Sequence, residues 1–237
     1  MVTVVIPAHN EEFLIGRSIE ALHTAARALD EPYEVIVVDD ASTDATATVA
    51  AQCGARVLSV HHRQIAAARN AGAAQAQGDL LVFVDADTQV TAAVFCAAVR
   101  AMRVGAVGGG SRARFDGPLP TYGRILEWLW LEIIQRFGHL ASGCFLFCTR
   151  HSFETIGGFD QTLYAAEDVI LSLRLKRLGR FVVLQEEVVT SGRNIRSHSA
   201  FELLRVIVGF ARRGPRFFRT RHGLWYGRRR DDPDPPD

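Results

Sequence analysis

Four polar clusters in this chain could do chemistry. His9-Asn10-Glu11, Asp39-Asp40 and Asp85-Ala86-Asp87 each follow a short apolar run, and Glu167-Asp168 opens another. Where strand gives way to loop, Asp85 and Asp87 can converge on one cation. Hard oxygen ligands suit Mg²⁺ or Mn²⁺, and such an ion typically also binds substrate phosphates. A helix cap beside a solvated acid would give the same pattern. Asp39 or Asp40 can accept hydrogen bonds from a base or ribose. Arg69, in AAARNAG, can reach a phosphate or form a surface ion pair. Glu167-Asp168 reads equally as a carboxylate favoured by a helix dipole and as a general base that deprotonates an acceptor hydroxyl. Spacing alone does not separate the two.

These clusters need elements to position them. Residues 2–6 (VTVVI) form a β-branched run stopped by Pro7 and predict a buried strand. Ile15, Ile19, Leu22, Ala26 and Leu29 mark one helical face. A strand over 34–38 follows, then a helix that Ser42 or Asp44 could cap. A strand over 56–60, an Ala-rich helix over 64–77 and a strand over 80–84 complete the first half. The alternation predicts a parallel sheet with helices on both faces. Ligands in such sheets bind beyond the carboxyl ends of the strands, where three of the clusters stand. The second half is less regular: strands over 104–110, 143–149 and 181–184, and helices over 120–137, 167–178 and 199–213. The strand over 143–149 would put Cys144 and Cys148 on one face.

Composition narrows the function. Of 237 residues, 48% are hydrophobic and 22% charged, which excludes wholesale disorder. The net charge of +1 hides an asymmetry, because residues 191–230 carry 11 arginines against one glutamate. An anionic partner could be held there. The terminal DDPDPPD, residues 231–237, cannot build a core and is expected to be disordered. Cys53, Cys96, Cys144 and Cys148 lack a zinc or disulfide spacing, so a reducing cytoplasm is the expected setting. No signal peptide and no spanning helix are expected. Gly108-Gly109-Gly110 does not satisfy the dinucleotide fingerprint, and no P-loop occurs.

In order and spacing, VVIPAHNEE, VVDDASTD, AAARNAG, FVDADT, TRHSFETIGGFD, AEDV and TSGR resemble glycosyltransferase family 2, inverting enzymes of the GT-A fold. The resemblance runs from Val2 to about Arg196. It implies an α/β, Rossmann-like architecture with a mostly parallel central sheet flanked by helices. Residues 1–198 would form one domain, with a nucleotide-sugar half (1–102) and an acceptor half (103–198). A basic amphipathic segment (199–230) and the tail (231–237) would follow.

The resemblance also implies roles. Pro7, Ala8 and Glu11 would shape the nucleotide pocket. Asp40, with Asp39, would contact the base, and Arg69 would face base or diphosphate. Asp85 and Asp87 match a DxD metal motif for Mn²⁺ or Mg²⁺, with His198 as a third ligand. Asp168 would be the catalytic base, with Glu167 beside it, and Gly143 would lie near the acceptor. The donor would be a UDP- or GDP-sugar, displaced in one step at its anomeric carbon. The acceptor has no signature of its own. A lipid-linked one would suit residues 199–230 if their apolar and arginine faces lie on an anionic bilayer; packing on the protein is the alternative. No nucleic-acid motif accompanies the charge. A QxxRW motif is missing, with TSGRN in that region, which disfavours a processive synthase. A sugar nucleotidyltransferase would carry a Gly-rich loop where this chain has PAHNEE. A non-catalytic nucleotide-binding module would not need Asp85, Asp87 and Asp168 together.

Overall fold

A computed structural model describes residues 1–129 and 141–227. β-Branched runs form its central strands. β1 (Val2–Ala8), β2 (Tyr33–Asp40), β3 (Arg56–Val60) and β4 (Leu80–Val84) are joined by α1 (Ile15–Ala26), α2 (Thr46–Gln52) and α3 (Ile65–Ala74). All their pairings are parallel. Ala8 lies level with Asp39, so the polar residues that follow β1 and β2 emerge at one edge.

The second half joins the same sheet with mixed direction. β5 (Thr88–Gln89), α4 (Ala92–Arg103), β6 (Gly108–Phe115), α5 (Thr121–Leu129), β7 (Phe145–Thr149), α6 (Arg150–Thr155), α7 (Glu167–Leu178) and β8 (Phe181–Thr190) follow in the chain. The eight strands run in the order β3-β2-β1-β4-β7-β6-β8-β5. β7 is antiparallel to both β4 and β6, whereas β6 and β8 are parallel. After β8 come α8 (Arg193–Arg196), α9 (Ala200–Arg213), a 3₁₀ turn (Gly214–Arg219) and α10 (Gly223–Tyr226).

Alternation along the strands feeds two cores. Val4, Ile6, Val37 and Val82 pack with Ile15, Ile19 and Leu22 of α1 and with Val94, Phe95 and Val99 of α4. Val5, Ile36, Val38 and Phe83 pack with Ala66 and Ala68 of α3 and with Leu171 and Leu175 of α7. The Ala-rich helix read from the sequence therefore has a purpose. Small residues let α3 approach the sheet, and a Cβ at Gly72 would lie only 2.4 Å from Val5 Cγ1 and 2.8 Å from Val38 Cγ2.

Several expected boundaries move. The strand expected at 104–110 begins at Gly108, because Val104 and Gly105 terminate α4, with Gly105 at φ +89°. The strand expected at 181–184 continues to Thr190, past the exposed polar residues Gln185 to Glu187. Cys144 and Cys148 do not share a face. β7 starts after Cys144, which joins the α1/α4 core while Cys148 joins the α3/α7 core. Asp44 accepts from the Thr46 amide at the start of α2, although it lies just outside the helix. The helix expected over 120–137 is seen as Thr121–Leu129; its remainder, with Trp130, lies outside the described residues, as does the 231–237 tail. Among the described residues, no helix is long and apolar enough to cross a membrane.

Gly72→Val should lower the unfolding free energy by about 1–3 kcal/mol, the usual cost of overpacking. Urea titration of the two forms tests this, and an unchanged midpoint would mean that α3 can retreat from the sheet.

Candidate active site

The strands end in turns that hold the polar clusters against one cleft. Asn10, Ala41, Arg63 and Ala166 are the described non-glycine residues with positive φ, at +53°, +58°, +51° and +61°. The first three follow β1, β2 and β3, and Ala166 precedes Glu167 at the start of α7. Such conformations cost of order 1–3 kcal/mol each and persist where surrounding contacts enforce them.

Asp40 supplies one such enforcement. Its buried carboxylate accepts the amides of His62, Arg63 and Gln64 at 2.7, 2.7 and 2.9 Å. The loop between β3 and α3 is thereby moulded around it. Gln64 in turn donates its side-chain amide to the Gln161 and Leu163 carbonyls. Asp39 accepts from the Ser42 amide. Asp40, Pro7, Ala8 and Glu11 all line the cleft together with Asp85 and Asp87.

Arg69 lies beneath this cleft, 2% exposed. Its Nη1 donates to Glu167 at 2.8 Å, and its Nη2 donates to Asp85 at 2.7 Å and to the Gly143 carbonyl at 2.8 Å. The guanidinium also lies over the Phe159 ring, 5.2 Å from its centre. Burial opposes its charge, but Asp85, Glu167 and Asp168 outweigh that and raise its pKa above the ordinary range. Burial also pushes Glu167 up to about 7, against the pull of Arg69 and helped by Asp168 and Asp85. Asp168 is raised for the same first reason, with Arg69 again opposing.

Asp168 uses Oδ1 to accept from the Val169 amide at 2.8 Å. Its Oδ2 faces Gly143, where an added Cβ would sit only 2.8 Å away. A side chain at 143 would therefore push that carboxylate aside. Asp168 thus lies in the first turn of α7, whose N-cap is Ala166, with one oxygen on a backbone amide and the other turned to Gly143.

Asp85 and Asp87 reach the cleft, and hard carboxylate oxygens are the donor chemistry that Mg²⁺ or Mn²⁺ takes. Among the described residues, no three His, Cys, Asp or Glu side chains are gathered into a cage. His198 is buried in the segment after α8, with Nδ1 2.8 Å from the Asn194 carbonyl. A carbonyl accepts, so Nδ1 is the donor in this contact. Asn194 lines the cleft. The structure thus brings Asp85 and Asp87 together with Pro7, Ala8, Glu11 and Asp40, and sets Arg69, Glu167, Asp168 and Gly143 directly behind; it does not join His198 to the two aspartates.

Sequence reasoning missed several residues at the rim. Arg193 donates to both Glu11 oxygens at 3.0 Å and lies 4.0 Å from Asp87. The segment TSGRN was its only signal. Arg63 lies against the His9 ring, and both line the cleft. Trp225 and Tyr226 also line it. Read as part of an amphipathic surface segment, they carried no sequence signal for a pocket.

Comparison with known proteins gives consistent results. The model of glycosyl transferase family 2 matches residues 3–155. The undecaprenyl-phosphate 4-deoxy-4-formamido-L-arabinose transferase of Serratia proteamaculans is 39% identical over 99 residues, covering 37% of this chain and 29% of that protein. The chain thus matches under a third of that relative's length. The mannosyltransferase PcManGT from Pyrobaculum calidifontis, solved with GDP-Man and Mn²⁺, superposes with a TM-score of 0.68 at 21% identity, over 88% of this chain and 60% of that one. Glucosyl-3-phosphoglycerate synthase from Mycobacterium tuberculosis, solved with Mn²⁺ and UDP-Glc, gives 0.64 at 22% identity, over 90% and 79%. At these identities the likeness concerns the fold.

Arg69→Met should cost about 3–5 kcal/mol of stability, because it leaves buried carboxyls without their cation. Without Arg69 their folded pKa values rise further above the unfolded ones. The folded variant then binds more protons than the unfolded chain, and its stability falls as pH rises through that interval. Denaturant titrations with a chelator present should show a smaller deficit at pH 5 than at pH 8. A deficit independent of pH would mean that Arg69 acts through packing.

Proposed function

The chain belongs to glycosyl transferase family 2, and on that basis we propose that it transfers a sugar from a UDP- or GDP-sugar, with inversion, to an acceptor hydroxyl deprotonated by Asp168. The observation that carries the reading is the placement of Asp168. Its Oδ2 turns to Gly143, whose carbonyl accepts from the same Arg69 nitrogen that holds Asp85, and burial raises its pKa. A base with a pKa nearer neutrality removes a proton more effectively than an ordinary aspartate.

In this reading Pro7, Ala8 and Glu11 shape the nucleotide site. Asp40 contributes mainly through the loop that it moulds, and Asp39 through the turn after β2. Asp85 and Asp87 would hold Mn²⁺ or Mg²⁺, with His198 as the third candidate ligand. Such an ion offsets charge on a departing diphosphate. Arg69 holds Asp85 and Glu167 in place, and Glu167 keeps Arg69 charged and oriented. Inversion in one displacement needs no protein nucleophile, and Asp168 takes the proton as the acceptor oxygen attacks. A nucleotidyltransferase would carry a Gly-rich loop where PAHNEE stands, and a binding module would not need Asp85, Asp87 and Asp168 together.

A second reading concerns the acceptor. The relative named for undecaprenyl phosphate suggests a lipid-linked acceptor. Phosphate oxygen is already ionised and needs no base. The two readings therefore differ in what Asp168 is worth. With a hydroxyl acceptor, Asp168→Asn should lower kcat by about 10²–10⁴-fold with donor affinity kept. A loss below about 10-fold in steady-state kinetics would favour a phosphate acceptor, and loss of donor binding would sink the base assignment.

We place the protein, on this reading, at the inner face of a membrane. α9 exposes Phe201, Leu204, Val208 and Phe210 alongside Arg205, Arg212 and Arg213. Its start is fixed by a reciprocal capping box between Ser199 and Glu202. Such a helix suits an anionic bilayer, with apolar groups in the interface and arginines at headgroups. The full chain should sediment with vesicles containing anionic lipid at low salt, and Phe201→Glu with Leu204→Glu should abolish this. Failure of the wild-type chain to sediment would leave α9 as a surface for protein.

A further inference from the structure

The cleft has about 140 Å³ of free volume. Pockets for small ligands usually have roughly 300–1,000 Å³, and a nucleotide diphosphate sugar is not a small member of that class. Part of the deficit is filled by the chain itself. Trp225, Tyr226 and Gly227 share the cleft with Pro7, Ala8 and Asp40.

Tyr226 is held there specifically. The Ile65 amide, the first of α3, donates to its hydroxyl at 3.3 Å. That amide lacks a partner within its own helix and would otherwise be offered to a polar ligand. The Tyr226 ring meets Tyr164 edge-on at 5.5 Å. Tyr164 is tied to the same segment by its amide, which donates to the Phe218 carbonyl at 2.7 Å.

Behind Tyr226 the segment is cohesive in its own right. Phe217 stacks on His222 at 4.1 Å, Phe210 on Phe218 at 5.2 Å, and Trp225 meets Phe218 edge-on at 6.2 Å. Phe217 also packs on Gly209 of α9. The segment therefore has a scaffold on α9 that does not depend on the cleft, and Trp225 and Tyr226 are only partly buried in it.

We propose that α10 is a built-in plug of the donor site. Tyr226 and Trp225 occupy space that the nucleotide needs, and Tyr226 must release the Ile65 amide before the donor can seat. The measured affinity for nucleotide is then the intrinsic affinity reduced by the fraction of molecules with the plug withdrawn. This rests on the donor reading above.

Trypsin acting on the full chain reads the plug, since the exposed Arg219 and Arg221 both lie just before α10 and its withdrawal would loosen the backbone there. UDP or GDP with Mn²⁺, whichever binds by calorimetry, should speed cleavage after Arg221 several-fold. Tyr226→Ala should bind the same nucleotide several-fold tighter, and Tyr226→Phe, which loses only the hydroxyl, should gain less. Slower or unchanged cleavage, or weaker binding by Tyr226→Ala, would overturn the plug and make α10 a wall of the site. Binding of neither nucleotide to the wild-type chain or to Tyr226→Ala would overturn the donor reading, and the plug with it.

Discussion

The buried guanidinium of Arg69 is the constraint on which the site depends. One side chain from α3 touches the end of β4 through Asp85, the loop before β7 through the Gly143 carbonyl, and the start of α7 through Glu167. Four elements from both halves of the chain are thus referenced to one planar group. Buried ion pairs of this kind often contribute little net stability, because desolvation cancels much of the attraction. What they do supply is geometry. A planar fork satisfies a carboxylate, a second carboxylate and a carbonyl only in one arrangement. Arg69 reaches this position because Ala66, Ala68 and Gly72 let α3 lie close against the sheet.

The mixed sheet explains why the two halves meet where they do. Parallel β1, β2 and β4 deliver their polar ends to one edge. Antiparallel β7, beside β4, starts at that same edge, so the loop carrying Gly143 arrives beside Asp85. The amide of Asp85 donates to the Cys144 carbonyl at 3.1 Å and closes the junction. β8 returns to the cleft from the far side, and the Ser191 amide donates to the Asp87 carbonyl. Arg193 then follows within reach of Glu11 and Asp87. Each half supplies what the other lacks, and neither builds the site alone.

The parallel half could be read from sequence because its central strands are buried on both faces and its helices repeat at regular spacing. Leu80–Val84 is a continuous apolar run for that reason, and Val2–Ala8 is broken only by Thr3, which is itself buried. The other half was harder for equally physical reasons. β6 opens with three glycines that pack against Phe147, Ala141 and Val182, so it carries no hydrophobic pattern. β8 passes three exposed polar residues where its pairing to β6 shifts register between Gly110 and Arg112. The clusters Asp85-Asp87 and Glu167-Asp168 were visible as residue types at element ends. That Arg69 joins them was not, because a partner 98 residues away leaves no local trace. Nor was it visible that the Asp40 carboxylate accepts three backbone amides, because that use depends on how the β3–α3 loop folds around it.

Charge at the rim bears on how a donor could be held. Glu11, Asp40, Asp85 and Asp87 line the cleft, with Glu167 and Asp168 close behind, whereas the arginines here are Arg63, Arg69 and Arg193. Two of those three are already committed. Arg69 is shared between Asp85 and Glu167, and Arg193 lies on Glu11. A diphosphate brought to this rim alone would meet carboxylates at short range in a partly desolvated site, where like charges repel strongly. A divalent cation on Asp85 and Asp87, as proposed, would reverse the sign of that encounter. Under the proposed function, donor and cation are therefore coupled thermodynamically, and each raises the affinity for the other.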